Sequence, residues 1–117
     1  MKVFFVDDRL DEIDRQWRES RALKTCEMCR LEPFCSVERT VQLVQSLTPD
    51  LILVGYGLGK PPITGADVIR ALRQAGYAGR IVANSGGGIG QFERVSVSVD
   101  GSADRTASGL DEAVCHQ

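Results

Sequence analysis

In three places the chain runs through consecutive apolar residues with no polar residue at either parity: Val3-Phe4-Phe5-Val6, Leu51-Ile52-Leu53-Val54 and Ile81-Val82-Ala83. A strand with one wet face alternates apolar with polar, so an unbroken run belongs to a strand covered on both faces, as inside a parallel sheet. Stretches with helical periodicity separate the runs. Strand–helix–strand alternation calls for right-handed crossovers that lay helices on both sides of the sheet. Loops that carry chemistry in such a sheet lie beyond the carboxyl ends of the strands. Asp7-Asp8, Gly55 and Ser85 follow the three runs, and all are expected on one rim.

The first strand reads as Lys2–Val6, ended by the acidic pair. From Arg9 to about Leu23, Leu10, Ile13 and Trp17 recur at near-helical spacing among charged residues, which predicts an amphipathic first helix with Trp17 in its core stripe. Ser36 is placed to cap a second helix carrying Val37, Val41, Val44 and Leu47, stopped near Thr48-Pro49 because the residue before proline avoids helical angles. Thr64-Gly65-Ala66-Asp67 has the capping-box pattern of a further helix whose Val68, Ile69 and Leu72 face the core. Arg80–Ala83 is the next strand. The Lys24–Cys35 stretch, with three cysteines and Pro33, is open between a weak strand and a loop. Val95, Val97 and Val99 alternate with Ser96 and Ser98 as an exposed edge strand would, while their spacing also suits a fourth helix. Leu110–Val114 reads as a short final helix.

A length of 117 residues predicts one domain, residues 1–117, with a modest core. Fourteen Lys+Arg against 16 Asp+Glu leave a formal charge of -2 and no strongly basic stretch, so nucleic acid is not an expected partner. The opening Met1–Val6 segment is far shorter than the roughly 20 apolar residues of a membrane span. A cytoplasmic location is expected, with no membrane partner and with cysteines held reduced.

Lys2-Val3-Phe4-Phe5-Val6-Asp7-Asp8 resembles the first strand and acidic pair of response-regulator receiver domains. Pro49-Asp50-Leu51-Ile52-Leu53-Val54, followed by Gly65–Arg73, resembles their third strand and third helix. The likeness covers about residues 1–8 and 40–90. It implies an α/β, doubly wound, CheY-like five-stranded parallel sheet in the order 2-1-3-4-5. Receivers hold Mg²⁺ on the acidic pair and on a third carboxylate, which attacks phosphorus; a Thr or Ser and a Lys then bind the phosphoryl group. Asp7 and Asp8 fall on the acidic pair and Ser85 on the hydroxyl position, but Gly55 stands where the nucleophilic aspartate belongs. Glycine has no carboxylate, so no aspartyl phosphate is expected, and Mg²⁺ at Asp7 and Asp8 would be weakly held, short of one oxygen ligand. Ala103–Gly109 resembles the stretch before the family's Lys-Pro, with Ser108 and Gly109 in place of those two residues, so the phosphoryl-binding lysine is missing as well. The Gly57–Thr64 loop carries a short insertion.

Simpler readings stand beside these. Asp7 and Asp8 also suit capping of the first helix and its positive end. Ser85 with Gly86–Gly88 reads either as an anion cradle of backbone N–H groups or as a plain loop. Gly55 also reads as a packing gap that Tyr56 or a neighbouring loop fills.

Cys26-x-x-Cys29, then Cys35, and Cys115-His116 near the end form a second candidate centre. Thiolates at this spacing suit Zn²⁺ or an iron–sulfur cluster with a fourth ligand from Cys115 or His116, because the first and last helices cover one face of a receiver-like sheet. A regular second strand would carry Cys35 about 20 Å from Cys29, so a three-cysteine site requires that strand to be bent or replaced. Small buried hydrophobes and a redox disulfide between two of Cys26, Cys29 and Cys35 are the alternatives.

The expected function is that of a pseudo-receiver, a signalling domain that acts by protein–protein interaction without phosphorylation; the resemblance also implies a homodimer. The alternative is a metal- or redox-responsive sensor or adaptor built on Cys26, Cys29 and Cys35. An enzyme is not expected, since no nucleophile–base pair is visible and His116 is the one histidine.

Overall fold

The structure, a computed structural model, describes residues 1–29, 32–84 and 90–115, with Ala22, Leu23 and Cys115 described by backbone alone. Among these residues, strands β1 (Lys2–Val6), β2 (Glu27–Met28), β3 (Leu51–Val54), β4 (Arg80–Ala83) and β5 (Gly101–Ser102) form one sheet in the order β2-β1-β3-β4-β5. Every pairing is parallel, with Val3–Val6 against Leu51–Val54 and Leu51–Val54 against Arg80–Ala83. The helices are α1 (Leu10–Glu19), α2 (Ala22–Thr25), α3 (Val37–Leu47), α4 (Gly65–Gln74), α5 (Gly90–Glu93) and α6 (Ala107–Cys115).

The unbroken apolar runs do what their composition requires. Val3, Phe5, Leu51, Leu53 and Val82 face one layer, where Ile13 and Trp17 of α1 and Leu110 and Ala113 of α6 cover them. Phe4, Val6, Ile52, Val54, Ile81 and Ala83 face the other, under Leu43 and Val44 of α3 and Val68, Ile69 and Leu72 of α4. Successive residues of a strand point to opposite faces, so a strand between two helical layers is apolar at both parities. Local signals fix the helix ends. Ser36 Oγ accepts a hydrogen bond from Arg39 N at 3.1 Å, and α3 stops at Thr48 in the left-handed region with φ 48°. Ahead of α4, Asp67 Oδ2 accepts from Thr64 N at 2.9 Å.

Three sequence expectations change. The first helix does not reach Leu23: it ends at Glu19, where Ser20 turns extended and its Oγ donates to Trp17 O at 2.8 Å, and α2 follows as a separate turn. Between Lys24 and Cys35 both readings hold in part: β2 pairs Glu27 and Met28 with Lys2 and Val3, residues 32–35 carry neither strand nor helix, and Arg30 and Leu31 lie outside the described residues. The Phe34 N–H donates to Asp7 O at 3.1 Å and its ring is buried against the α3 layer. Val95–Val99 is neither strand nor fourth helix. Val95 N and Val97 N both donate to Phe92 O, Ser96 takes φ 59°, and the segment lies as a loop with Val97 buried and Val95 and Val99 packed beside it. The alternation identifies the apolar side correctly, but the backbone bonds to the α5 turn rather than to a neighbouring strand. The sheet edge is β5 instead. No helix among the described residues is long and apolar enough to cross a membrane.

Candidate functional site

Beyond the carboxyl ends of β1, β3 and β4 the chain brings together Asp7, Gly55 and Asn84. Asp7 is 2% exposed. Its Oδ1 accepts from Asp8 N at 2.8 Å and Arg9 N at 3.0 Å, which fixes the turn into α1. The cap of α1 is Arg9 and makes no side-chain bond, so Asp7 shapes the entry to the helix rather than capping it. Its neighbour diverges: Asp8 is exposed and lies beside Gly59, where a Cβ would stand 3.0 Å from Asp8 Oδ2.

Gly55 is buried at the end of β3, its N–H donating to Val6 O at 2.9 Å. A Cβ at this position would lie 2.8 Å from Asp7 Oδ2 and 3.3 Å from Asp7 Cγ. The space beside Gly55 is therefore filled by the Asp7 carboxylate. Tyr56 does not move into it, and packs edge-on against Phe92 with ring centroids 5.3 Å apart. Gly65, at the start of α4, is required by a close approach: a Cβ there would collide with Gly55 O.

The residue that completes this centre is Arg105, from the connection between β5 and α6. Its Nη1 lies 3.1 Å from Asp7 Oδ2 and donates to Asn84 O at 3.0 Å, while Nε donates to Glu12 Oε1 at 3.1 Å. Gln16 Nε2, buried on α1, donates to Arg105 O at 2.8 Å, so the arginine is held at its backbone as well as its head. Nη1 is aimed at Asn84 rather than along the Asp7 contact. Asp7 Oδ2 and Arg105 Nη2 consequently remain buried without a hydrogen-bond partner. Burial raises the Asp7 pKa from its ordinary value, against the Arg9 N–H and the Arg105 guanidinium, which lower it. Glu12 moves the other way, lowered chiefly by its hydrogen bond from Arg105.

Arg105 lies within the Ala103–Gly109 stretch, three positions before Ser108, so resemblance to a Lys-Pro pair does not point to it. The available signal was chemical rather than positional: a cation shortly after the last strand, in a chain with two acidic residues after the first. Ser85 lies outside the described residues. Asn84, just before it, is 2% exposed and contributes its carbonyl to Arg105.

Among the described residues, Cys26, Cys29 and Cys35 are not gathered at one place. Cys26 packs against the α1/α6 layer and Cys29 against the α3/α4 layer, on opposite faces of the sheet, and Cys35 is exposed. The reason is the strand period of two: three positions apart across β2 means opposite sides. These three thiols are free, and among the described residues no group of three His, Cys, Asp or Glu is placed to hold a metal ion. The Cys115 side chain and His116 lie outside the described residues. Burial raises the Cys29 thiol pKa, which makes it a poorer nucleophile. An apolar cleft of about 290 Å³ lies at the amino-terminal ends of β3 and β4, between α3 and the turn after α4. Tyr77 is its titratable residue, and the phenol already donates to Pro49 O at 3.0 Å.

No family model matches this sequence, and no curated protein matches it in sequence. Solved structures do resemble its fold. The signal receiver domain of a Luxo repressor protein from Vibrio parahaemolyticus superposes with a TM-score of 0.77 at 14% identity, over 98% of this chain and 87% of that one. The signal receiver domain of the response regulator NarL from Mycobacterium tuberculosis gives 0.72 at 18%, over 98% and 93%. A two-component response regulator of the LuxR family from Aurantimonas sp. SI85-9A1 gives 0.74 at 19%, over 98% and 82%. With the sheet order β2-β1-β3-β4-β5 and the helices on both faces, the chain has the fold of a response-regulator receiver domain.

Proposed function

We propose that this chain is a receiver-like signalling domain of a two-component type of pathway, working in the cytoplasm by docking on a protein partner and without passing through an aspartyl phosphate. The observation that carries this is Gly55. At the end of β3, where a receiver's chemistry needs a carboxylate, there is no side chain, and the Asp7 carboxylate lies within 2.8 Å of where a Cβ would begin. Asp7 is no substitute nucleophile, because it is 2% exposed and faces Arg105. Attack on phosphorus needs an accessible carboxylate in line with the leaving group. On this reading the domain turns over no substrate; its output is the surface it presents.

The test is incubation with acetyl phosphate and Mg²⁺, followed by intact-mass measurement. Unmodified protein is the expected result. A stoichiometric phosphoryl adduct refutes the proposal.

A further inference from the structure

Three oxygens from three parts of the chain converge on one guanidinium. Asp7 Oδ2, after β1, is 3.1 Å from Arg105 Nη1; Asn84 O, after β4, is 3.0 Å from the same nitrogen; Glu12 Oε1, on α1, is 3.1 Å from Nε. Two of the three belong to carboxylates, and the third is a backbone carbonyl, which does not titrate. Asp7 Oδ2 is buried, has no hydrogen bond, and faces this cation. The arginine side chain is 17% exposed, so the cluster is largely shut off from solvent.

We propose that Asp7, Glu12 and the Asn84 carbonyl constitute a guanidinium-binding site, filled in cis by Arg105, which closes the acidic centre to divalent cations. The argument is one of charge and shape. Asp7 and Glu12 bring two negative charges when ionised, and Arg105 returns one positive charge. A Mg²⁺ ion binds oxygen at about 2.0–2.1 Å in near-octahedral geometry. Placed on Asp7 Oδ2 it would stand beside a guanidinium nitrogen 3.1 Å from that same oxygen, in a site that also lacks a carboxylate at Gly55. A planar fork meets the splayed acceptors where a compact ammonium would reach fewer of them. Gln16 holds the Arg105 carbonyl at 2.8 Å, so the backbone presents the side chain already in place. The cation is part of the chain, and the junction of α1 with the β5–α6 connection needs no ion to form. This site stands on its own geometry, whether or not the domain works by docking.

Two measurements test it. The first uses the unmodified protein: Mn²⁺ is titrated while amide resonances are followed by NMR. No selective broadening at Asp7, Asp8 and Asn84 is expected; broadening centred there overturns the proposal. The second is chemical rescue. Arg105→Ala should be destabilised and then restored by methylguanidinium, with sodium chloride at equal ionic strength without effect. For a dissociation constant of ~1 mM, ~20 mM methylguanidinium shifts the folding equilibrium of the variant about 20-fold, and leaves the wild type unshifted in that direction. No selective rescue overturns the site. Arg105→Lys is the companion variant, retaining charge without the fork: lower stability than wild type is expected, and equal stability refutes a requirement for guanidinium.

Discussion

Placing a carboxylate at position 55 should destabilise the domain, and the size of the loss follows from what surrounds Gly55. A methyl group there places Cβ 2.8 Å from Asp7 Oδ2 and 3.3 Å from Cγ. Asp7 cannot swing aside cheaply, because Oδ1 is bonded to the N–H groups of Asp8 and Arg9 at 2.8 and 3.0 Å. Overpacking of this kind costs ~1–3 kcal/mol, and the lower conformational entropy of an unfolded chain without that glycine returns ~0.4–1 kcal/mol. Gly55→Ala should therefore lose about 1–2 kcal/mol. Gly55→Asp adds a second carboxylate about 4 Å from the first, a repulsion of ~4 kcal/mol at an effective dielectric of about 20, reduced by attraction to Arg105. A further loss of ~2–3 kcal/mol is expected, large against the ~5–15 kcal/mol total of an ordinary domain. Urea unfolding followed by fluorescence of Trp17, which is 6% exposed and edge-on to Phe5 at 6.2 Å, reads all three proteins. The order should be Gly, then Ala, then Asp at neutral pH, and the Asp-to-Ala gap should close as acid neutralises the carboxylates. Gly55→Ala as stable as wild type, or Gly55→Asp accepting a phosphoryl group, would refute the reasoning.

Arg105→Ala should lose ~3–5 kcal/mol at neutral pH, the cost of leaving a buried carboxylate without its cation. The loss should also depend on pH. With Arg105 gone, the Asp7 pKa, already raised by burial, climbs further; a carboxylate with a raised folded pKa destabilises as pH rises from its ordinary 3.8 through the raised value. In the wild type, Glu12 acts oppositely, since its lowered pKa supplies stability that is present above its ordinary 4.5 and lost as pH falls through the folded value. Both terms widen the gap between the two proteins as pH rises, which thermal melts from about pH 3 to about pH 8 measure directly. The Tyr77 phenol is pushed up to about 12, chiefly by burial, so ultraviolet titration of the folded protein should show a tyrosine ionising near there, and stability should fall as pH climbs from the ordinary 10 through that value. Tyr77→Phe should remove the late step and cost ~1 kcal/mol through the lost bond to Pro49 O. Cys26→Ser and Cys29→Ser, on opposite faces of the sheet, should add within ~0.5 kcal/mol when combined; strong coupling between them in urea unfolding would revive a shared centre.

Much of this architecture is legible in the linear sequence because the signals are short-range. The apolar runs at residues 3–6, 51–54 and 81–83 specify strands buried on both faces, since burial in a parallel sheet is a property of each residue and its immediate neighbours. Ser36 and Thr48-Pro49 mark the ends of α3 for the same reason: caps are settled within a turn. The periodicity of the first helix continues past Ser20 while the helical backbone ends at Glu19. The valine alternation of residues 95–99 is of the same kind, since a period of two reports which side is apolar and is silent on whether a strand stands alongside to pair.

The sequence by itself determined the class of fold, the rim on which Asp7 and Gly55 meet, and the absence of a carboxylate at Gly55. Tertiary structure alone decided what occupies that rim. Arg105 reaches Glu12 across 93 positions and Arg105 O reaches Gln16 across 89, pairings that exist only because α1 and α6 cover the same face of the sheet. It also decided that Cys26 and Cys29, adjacent by motif, face opposite layers, because a strand runs between them. Hydrophobic period and capping are written along the chain within a few residues, whereas the partner of a charge is fixed by which segments the finished sheet brings side by side.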